Sequence, residues 1–255
     1  MTRRLLIDIG NTRTKWVVAE DAQLSVPCWA AHGTPPDTLL DAADGVAEAW
    51  VSDVTDGAEY RQLAAALRTR RHIEAYRAHV RAEFAGLRCA YAEPARFGVD
   101  RWLMLLAAWT RTHGAACVAS AGTALTFDAV DTHGQHLGGC IAPGLLTMQR
   151  AVLDATAFAA DAPSAGYIQE LGQGLGRDTE ACVRQGALHA AAGLLDRLAR
   201  QYGMHGPRLL AGGDAEHLAP YLVPTWQHQP TLVLEGLLAL ATTANADPSF
   251  VKSGS

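Results

Sequence analysis

The stretch Leu5-Leu6-Ile7-Asp8-Ile9-Gly10-Asn11-Thr12-Arg13-Thr14-Lys15-Trp16-Val17-Val18 constrains the fold more than any other: an apolar run, a polar glycine turn and a second apolar run. That pattern predicts a β-hairpin. Asp8 is the one charged residue inside the first run, and an ionised carboxylate in an apolar strand is costly unless a cation or hydrogen-bond donors meet it. Gly10 permits positive φ and close ligand approach, with Asn11, Thr12 and Thr14 adding short donors beside the turn amides. Such a turn suits a phosphate. An ordinary Gly-Asn hairpin turn accounts for the same residues equally well.

At 255 residues the chain is long for one compact core, and two domains are expected. A composition of 49% hydrophobic and 18% charged residues argues against disorder. Lys plus Arg 21 against Asp plus Glu 26 leaves a net charge of -5, so no global field draws in polyanions. The run Arg68-Thr69-Arg70-Arg71-His72 reads as a solvated helix end, and no helix-turn-helix signature is present, so direct nucleic-acid binding is not expected. Cys28, Cys89, Cys117, Cys140 and Cys182 are scattered, odd in number and without metal-site spacing, as befits reduced thiols. Asp8 interrupts the N-terminal apolar run too early for a leader or a membrane span, and the expectation is a cytoplasmic protein. The tail Lys252-Ser253-Gly254-Ser255 is assigned no role.

Residues 23–31 predict a third strand, and Pro35-Pro36-Asp37 opens a helix to about residue 48. A buried strand follows at 50–54 and a helix at 60–71, the order of a parallel crossover. Residues 73–88 carry no clear pattern, and 91–98 read as a loop. Gly98-Val99-Asp100-Arg101-Trp102 opens a helix with Leu103, Leu106, Ala107 and Trp109 at helical spacing. Asp100 in its first turn is favoured by the helix dipole and free amides, so capping and catalysis are both open for it. Residues 116–120, the turn Ala121-Gly122-Thr123-Ala124 and residues 125–130 echo the opening hairpin, a match that duplication and chance glycine turns both explain. Gly138-Gly139 and Pro143-Gly144 then lead to a helix at 146–154, as in a second domain of similar plan. A long helix spans 178–202 with Asp178-Thr179 at its start. A strand at 207–211, Gly212-Gly213 and a candidate cap at Asp214 form an edge able to receive a nucleotide base or sugar, with a purely structural strand-to-helix turn at least as common, and a final helix runs over 234–243. The expected division is 1–113 and 114–255, both α/β.

In order along the chain, Asp8-Ile9-Gly10-Asn11-Thr12, Tyr91, Gly98-Val99-Asp100-Arg101, Ser120-Ala121-Gly122-Thr123-Ala124 with Thr126 and Asp128, Gly138-Gly139 with Pro143-Gly144, Thr179 and Gly212-Gly213 resemble one superfamily. It is that of acetate and sugar kinases, heat-shock proteins and actin. Within it the set is similar to the type III pantothenate kinase family, also called the Bvg accessory factor family. The resemblance implies two ribonuclease-H-like (actin-like ATPase) domains with a nucleotide cleft between them. It implies ATP-dependent phosphorylation of pantothenate to 4'-phosphopantothenate, the first step of coenzyme A biosynthesis. On that likeness Asp8, Ile9, Gly10, Asn11, Thr12, Arg13, Thr14 and Lys15, with Thr123, hold the ATP phosphates, Asp8 through a divalent Mg2+. Tyr91, Gly98, Val99, Asp100, Arg101 and Thr179 hold pantothenate, and Asp100 takes the hydroxyl proton. A cytoplasmic homodimer that uses a monovalent cation, K+ or NH4+, is also implied. Ser120 stands where the family usually places an aspartate serving that cation.

Elementary chemistry is compatible with those roles. Phosphoryl transfer needs alignment, a cation on the phosphates and an acceptor for the nucleophile's proton. None of the ten histidines lies in a motif with a partner at catalytic spacing. Two rivals stay open. Another small-molecule kinase or a polyphosphate-type phosphatase of the superfamily would keep both glycine turns but lack the 98–101 loop with Tyr91. A nonenzymatic regulatory protein on the same fold is favoured by Ser120 and opposed by Asp8, Asp100, Arg101 and Thr123.

Overall fold

The computed structural model describes residues 2–33, 35–156, 174–203 and 206–246. The tail 252–255 lies outside them. The chain runs β1 (Arg3–Ile9), β2 (Arg13–Glu20), β3 (Gln23–Leu24), β4 (Cys28–Ala31), α1 (Asp37–Ala42), β5 (Glu48–Asp53), α2 (Ala58–Arg71), β6 (Ala75–Arg77), β7 (Glu83–Phe84), β8 (Leu87–Arg88) and α3 (Val99–Thr112). It continues through β9 (Ala116–Ala121), β10 (Ala124–Val130), β11 (His136–Pro143), α4 (Leu145–Asp154), α5 (Thr179–Tyr202), β12 (Arg208–Ala211), α6 (Ala215–Leu218), β13 (Trp226–His228) and α7 (Leu232–Ala246).

Two sheets share one plan. The first is ordered β3-β2-β1-β5-β6, with β4 also on β2, and the second β11-β10-β9-β12-β13. In each, a central strand pairs antiparallel with its successor, β1 with β2 and β9 with β10. On its other side that strand pairs parallel with a strand reached by a helical crossover, β5 or β12, and a further parallel strand, β6 or β13, lies beyond. This ribonuclease-H-like order, present twice, is the duplication that the two Gly-Thr turns foreshadow.

Period-2 alternation sorts the residues of β1. Leu5, Ile7 and Ile9 join Trp16, Leu39, Leu40, Leu63 and Leu67 in one core cluster, with α1 and α2 supplying the leucines. Leu6 and Asp8 therefore face the other side, where α7 packs on β1 and β5 and α3 packs on α7. Every residue of α3 from Arg101 to Trp109 is buried, as a helix apolar on all sides must be. The two helices approach so closely that a Cβ at Gly236 would lie 2.1 Å from the Leu103 carbonyl oxygen. An Arg111–Glu235 ion pair and a 2.5 Å bond from Asn245 Nδ2 to Glu48 Oε1 fasten α7 further.

These contacts correct the expected division. One compact unit draws on the described residues of Met1–His113, Gly134–His136 and Thr231–Ser255, the other on those of Gly114–His133 and Leu137–Pro230. The C-terminal helix returns to the first unit because its apolar surface fits α3, a match that chain order does not reveal. The second unit buries Ala119, Ala121, Leu125 and Phe127 against Leu145 of α4 and Ala187, Leu188, Ala191 and Leu195 of α5. The helix expected to reach residue 48 stops at Ala42, and Glu48 instead opens β5. Residues 136–143, read as a glycine-rich connection, form the edge strand β11.

Candidate active site

In the first unit the β1–β2 turn is closed by the Gly10 N–H donating to Arg13 O at 3.1 Å. Gly10 does not take positive φ, and an added Cβ would meet nothing nearer than Arg13 O at 3.4 Å. The backbone hydrogen bond shapes this turn. Asn11 and Thr12 are exposed on it. Ile9 and Thr14 are register partners and buried, Ile9 within the core cluster, so they offer the turn their backbone rather than their side chains.

Asp8 faces Lys15 across the hairpin and Ser52 across the parallel pair with β5. Its Oδ1 is buried and has no hydrogen-bond partner among the described residues. Desolvation, and then the negative charge of Asp100, push its carboxyl from the ordinary 3.8 up to about 6, with Asp53 adding to the rise. The Ser52 hydroxyl and Lys15 pull the other way, although Ser52 Oγ falls short of a well-formed hydrogen bond. Burial in turn lowers the Lys15 ammonium, opposed by Asp8 and reinforced by Arg13. The fold thus brings Asp8 and Asp100, far apart in the chain, within electrostatic reach of each other.

Asp100 is the second residue of α3, whose N-cap is Gly98. The dipole at that end favours a carboxylate. A Cβ on Gly98 would lie 2.8 Å from Asp100 Oδ1, so glycine is what lets this carboxylate fold back over the helix start. Next to it, Arg101 is only 5% exposed. Its guanidinium lies 4.8 Å over the Phe97 ring, and Nη1 donates to Tyr91 Oη at 3.3 Å. Tyr91 and Phe97 stack at 4.8 Å, and Phe97 stacks on His136 at 4.8 Å. Neither Phe97 nor His136 was singled out by sequence reasoning. Phe97 carried a signal, a second aromatic in the loop that Tyr91 opens; His136 carried none.

In the second unit, Gly122 N–H donates to Ala124 O at 3.1 Å, again without positive φ, and leaves Thr123 exposed. The start of α4 braces this turn: Gly144 N–H and Thr147 Oγ1 both donate to Thr123 O, at 3.2 and 3.1 Å. Ser120 and Thr126 are cross-strand partners, and Thr126 Oγ1 is buried with no hydrogen-bond partner among the described residues. Gly212 does adopt positive φ, at 102°, just past β12. Thr179 is the first residue of α5, behind Asp178, which caps the helix by accepting from Ala181 N–H at 2.7 Å. Asp8, Lys15, Tyr91, Gly98, Val99, Asp100 and Arg101 thus belong to the first unit, and Ser120, Thr123 and Thr179 to the second.

Residues 4–201 match the family model described as type III pantothenate kinase. The chain belongs to the type III pantothenate kinase family. A type III pantothenate kinase of Thiobacillus denitrificans is 36% identical over 246 residues, covering 93% of this chain and 96% of that protein. One from Xanthomonas campestris pv. campestris is 38% identical over 248 residues, covering 94% and 98%. Among solved structures, a Baf family protein from Campylobacter jejuni superposes with a TM-score of 0.56 at 18% identity, covering 94% of this chain and 99% of that one. The activator of 2-hydroxyisocaproyl-CoA dehydratase from Clostridium difficile, with bound ADPNP, gives 0.54 at 10% identity, covering 99% and 100%. At those identities the likeness shows the fold alone, two α/β domains of the actin-like ATPase type.

A type III pantothenate kinase works on ATP, with which a divalent metal travels, and the residues present fit such an ion. The buried, unpartnered Asp8 Oδ1 is an oxygen that a cation would satisfy. Among the described residues no group of three or more His, Cys, Asp or Glu forms a metal cage. Magnesium fits that pattern, because it usually keeps several waters and takes one or two carboxylates plus phosphate oxygens. For a monovalent cation Ser120 and Thr126 offer neutral hydroxyls, a weaker set than a carboxylate.

Proposed function

We propose the following division of labour for the reaction that family membership gives this chain, ATP-dependent phosphorylation of pantothenate in coenzyme A biosynthesis. The turn at residues 10–13, with Lys15, receives the ATP phosphates in the first unit, and Thr123 receives them in the second. Asp8 holds the divalent metal through Oδ1; that ion, when bound, offsets the charge on the phosphates. Tyr91, the 98–101 loop and Thr179 bind pantothenate, with the Arg101 guanidinium as the partner for its carboxylate. Asp100 orients the pantothenate hydroxyl and accepts its proton as the oxygen bonds to the γ-phosphorus; the bond to the β-γ bridging oxygen breaks and ADP leaves with that electron pair. A carboxylate is ordinarily a weak base near neutral pH, so the proton moves late in the transfer.

The observation that carries this reading is the electrostatic coupling of Asp8 to Asp100 beside a glycine turn, with one buried carboxylate oxygen left for a cation. Incubation with pantothenate, ATP, magnesium and potassium should yield phosphopantothenate by mass; no product would refute it. A cytoplasmic homodimer is part of the same proposal. No helix among the described residues is long and apolar enough to cross a membrane. With Ser120 in place of a carboxylate, the monovalent cation is held weakly, so turnover should rise only at high potassium or ammonium or depend little on either. A titration saturating at low potassium would place the cation's ligands elsewhere.

A further inference from the structure

We infer that His136 is a positioning residue for the substrate site, setting the planes of Tyr91 and Phe97 and, through them, the Arg101 guanidinium. The inference rests on the proposed roles of Tyr91 and Arg101 in binding pantothenate. An arginine side chain has many rotamers, and its fork recognises a carboxylate only if the plane is fixed in advance. Two of its contacts bear on that plane: the Phe97 face at 4.8 Å and the Tyr91 hydroxyl at 3.3 Å. Both rings rest on His136. Its imidazole lies 8° from parallel to Tyr91 at 6.2 Å and 21° from parallel to Phe97 at 4.8 Å. Its Nδ1 accepts from the Ala90 N–H at 3.4 Å, so it also holds the backbone that precedes Tyr91.

His136 is itself well placed to act as a fixed reference. It is 1% exposed and belongs, with Gly134 and Gln135, to the first compact unit although the strand it begins lies in the second. Arg88 ties the approach to it, its N–H donating to Gly134 O at 2.8 Å and its Nε to Gln135 Oε1 at 3.3 Å. A residue that only filled a core would not need to be parallel to two rings of which one carries the hydroxyl met by a buried arginine.

Two variants separate the ring from the hydrogen bond. His136→Asn keeps an acceptor near the Nδ1 position and removes the ring; His136→Phe keeps the ring and removes the acceptor. The Asn variant should raise KM for pantothenate roughly 3- to 10-fold, the range expected for losing aromatic contacts, with kcat and KM for ATP within about twofold of wild type. The Phe variant should restore KM for pantothenate to within about twofold. The inference is overturned if the Asn variant binds pantothenate normally, if both substrates and kcat suffer alike, or if the Phe variant, folded, shows a raised pantothenate KM. Should the Asn variant not fold, the Phe variant decides on its own. Wild-type protein that makes no phosphopantothenate would instead refute the proposed function itself.

Discussion

Asp8 is ionised at neutral pH in a place where the fold favours its neutral form. Its carboxyl is raised from 3.8 to about 6, chiefly by desolvation. Between those two values the folded chain holds more protons than the unfolded one, so stability falls as pH rises through that window, and the whole cost is present above about pH 6. By linkage that cost is about 2 to 3 kcal/mol. Asp8→Asn should therefore raise the melting temperature of the free protein at pH 7 by several degrees, with the gain vanishing near pH 4. The same variant should lose the stabilisation that magnesium and ATP together give the wild type. Melts at both pH values, with and without magnesium-ATP, check both halves; an Asn variant that melts lower at pH 7 would contradict the first. Asp100→Asn should cut turnover by about 10²- to 10⁴-fold while leaving the melting temperature nearly unchanged. A cap would do the reverse, losing about 0.5 to 2 kcal/mol of stability at little cost in rate. Asp8 was legible in the sequence because a charge in an apolar strand is an anomaly that demands a partner. Asp100 was legible only as one of two readings, and His136 not at all, since its role arises from a stack with rings distant in the chain.

At the scale of elements, the two hairpins were legible because apolar runs flanking a short glycine turn leave few alternatives. The edge strand β11 was not: Gly138 and Gly139 lower strand propensity, and its pairing with β10 outweighs that preference. The α7–α3 packing was equally hidden, because the sequence shows an apolar helix without naming its partner. Gly236 gives that contact a test. Replacing glycine by alanine inside a helix ordinarily stabilises it by about 1 kcal/mol. Here the new Cβ would sit 2.1 Å from the Leu103 carbonyl oxygen, a backbone atom within a buried helix. Gly236→Ala should therefore destabilise the protein by about 1 to 3 kcal/mol, as overpacked cores do. Denaturant unfolding measures it, and a stabilised variant would mean that α7 shifts freely on α3.

For the whole molecule, the apolar composition pointed to a folded chain, as the two compact units bear out, while its assembly has to be argued from the surface of the second unit. There β11 is an edge strand whose Ile141 is 65% exposed, and α4 carries Val152 at 47%. Single exposed apolar residues are ordinary. An exposed edge strand is not, since its unpaired backbone invites another chain. Among the described residues a groove of about 820 Å³ also lies along α4 and α5, lined by Met148, Val152, Thr179, Cys182 and Val183, so a proposed pantothenate contact shares it with Val152. If two copies meet through the β11 edge and α4, light scattering should give twice the mass of one chain at micromolar concentration. Ile141→Asp combined with Val152→Asp should reduce that to one, because each aspartate would have to be desolvated in the interface. Loss of pantothenate turnover together with the dimer, in a pair that still melts cooperatively, would tie Thr179 to the assembled form. A wild-type chain that runs as a monomer would refute the homodimer, and a dimer indifferent to both substitutions would move its contact away from β11 and α4.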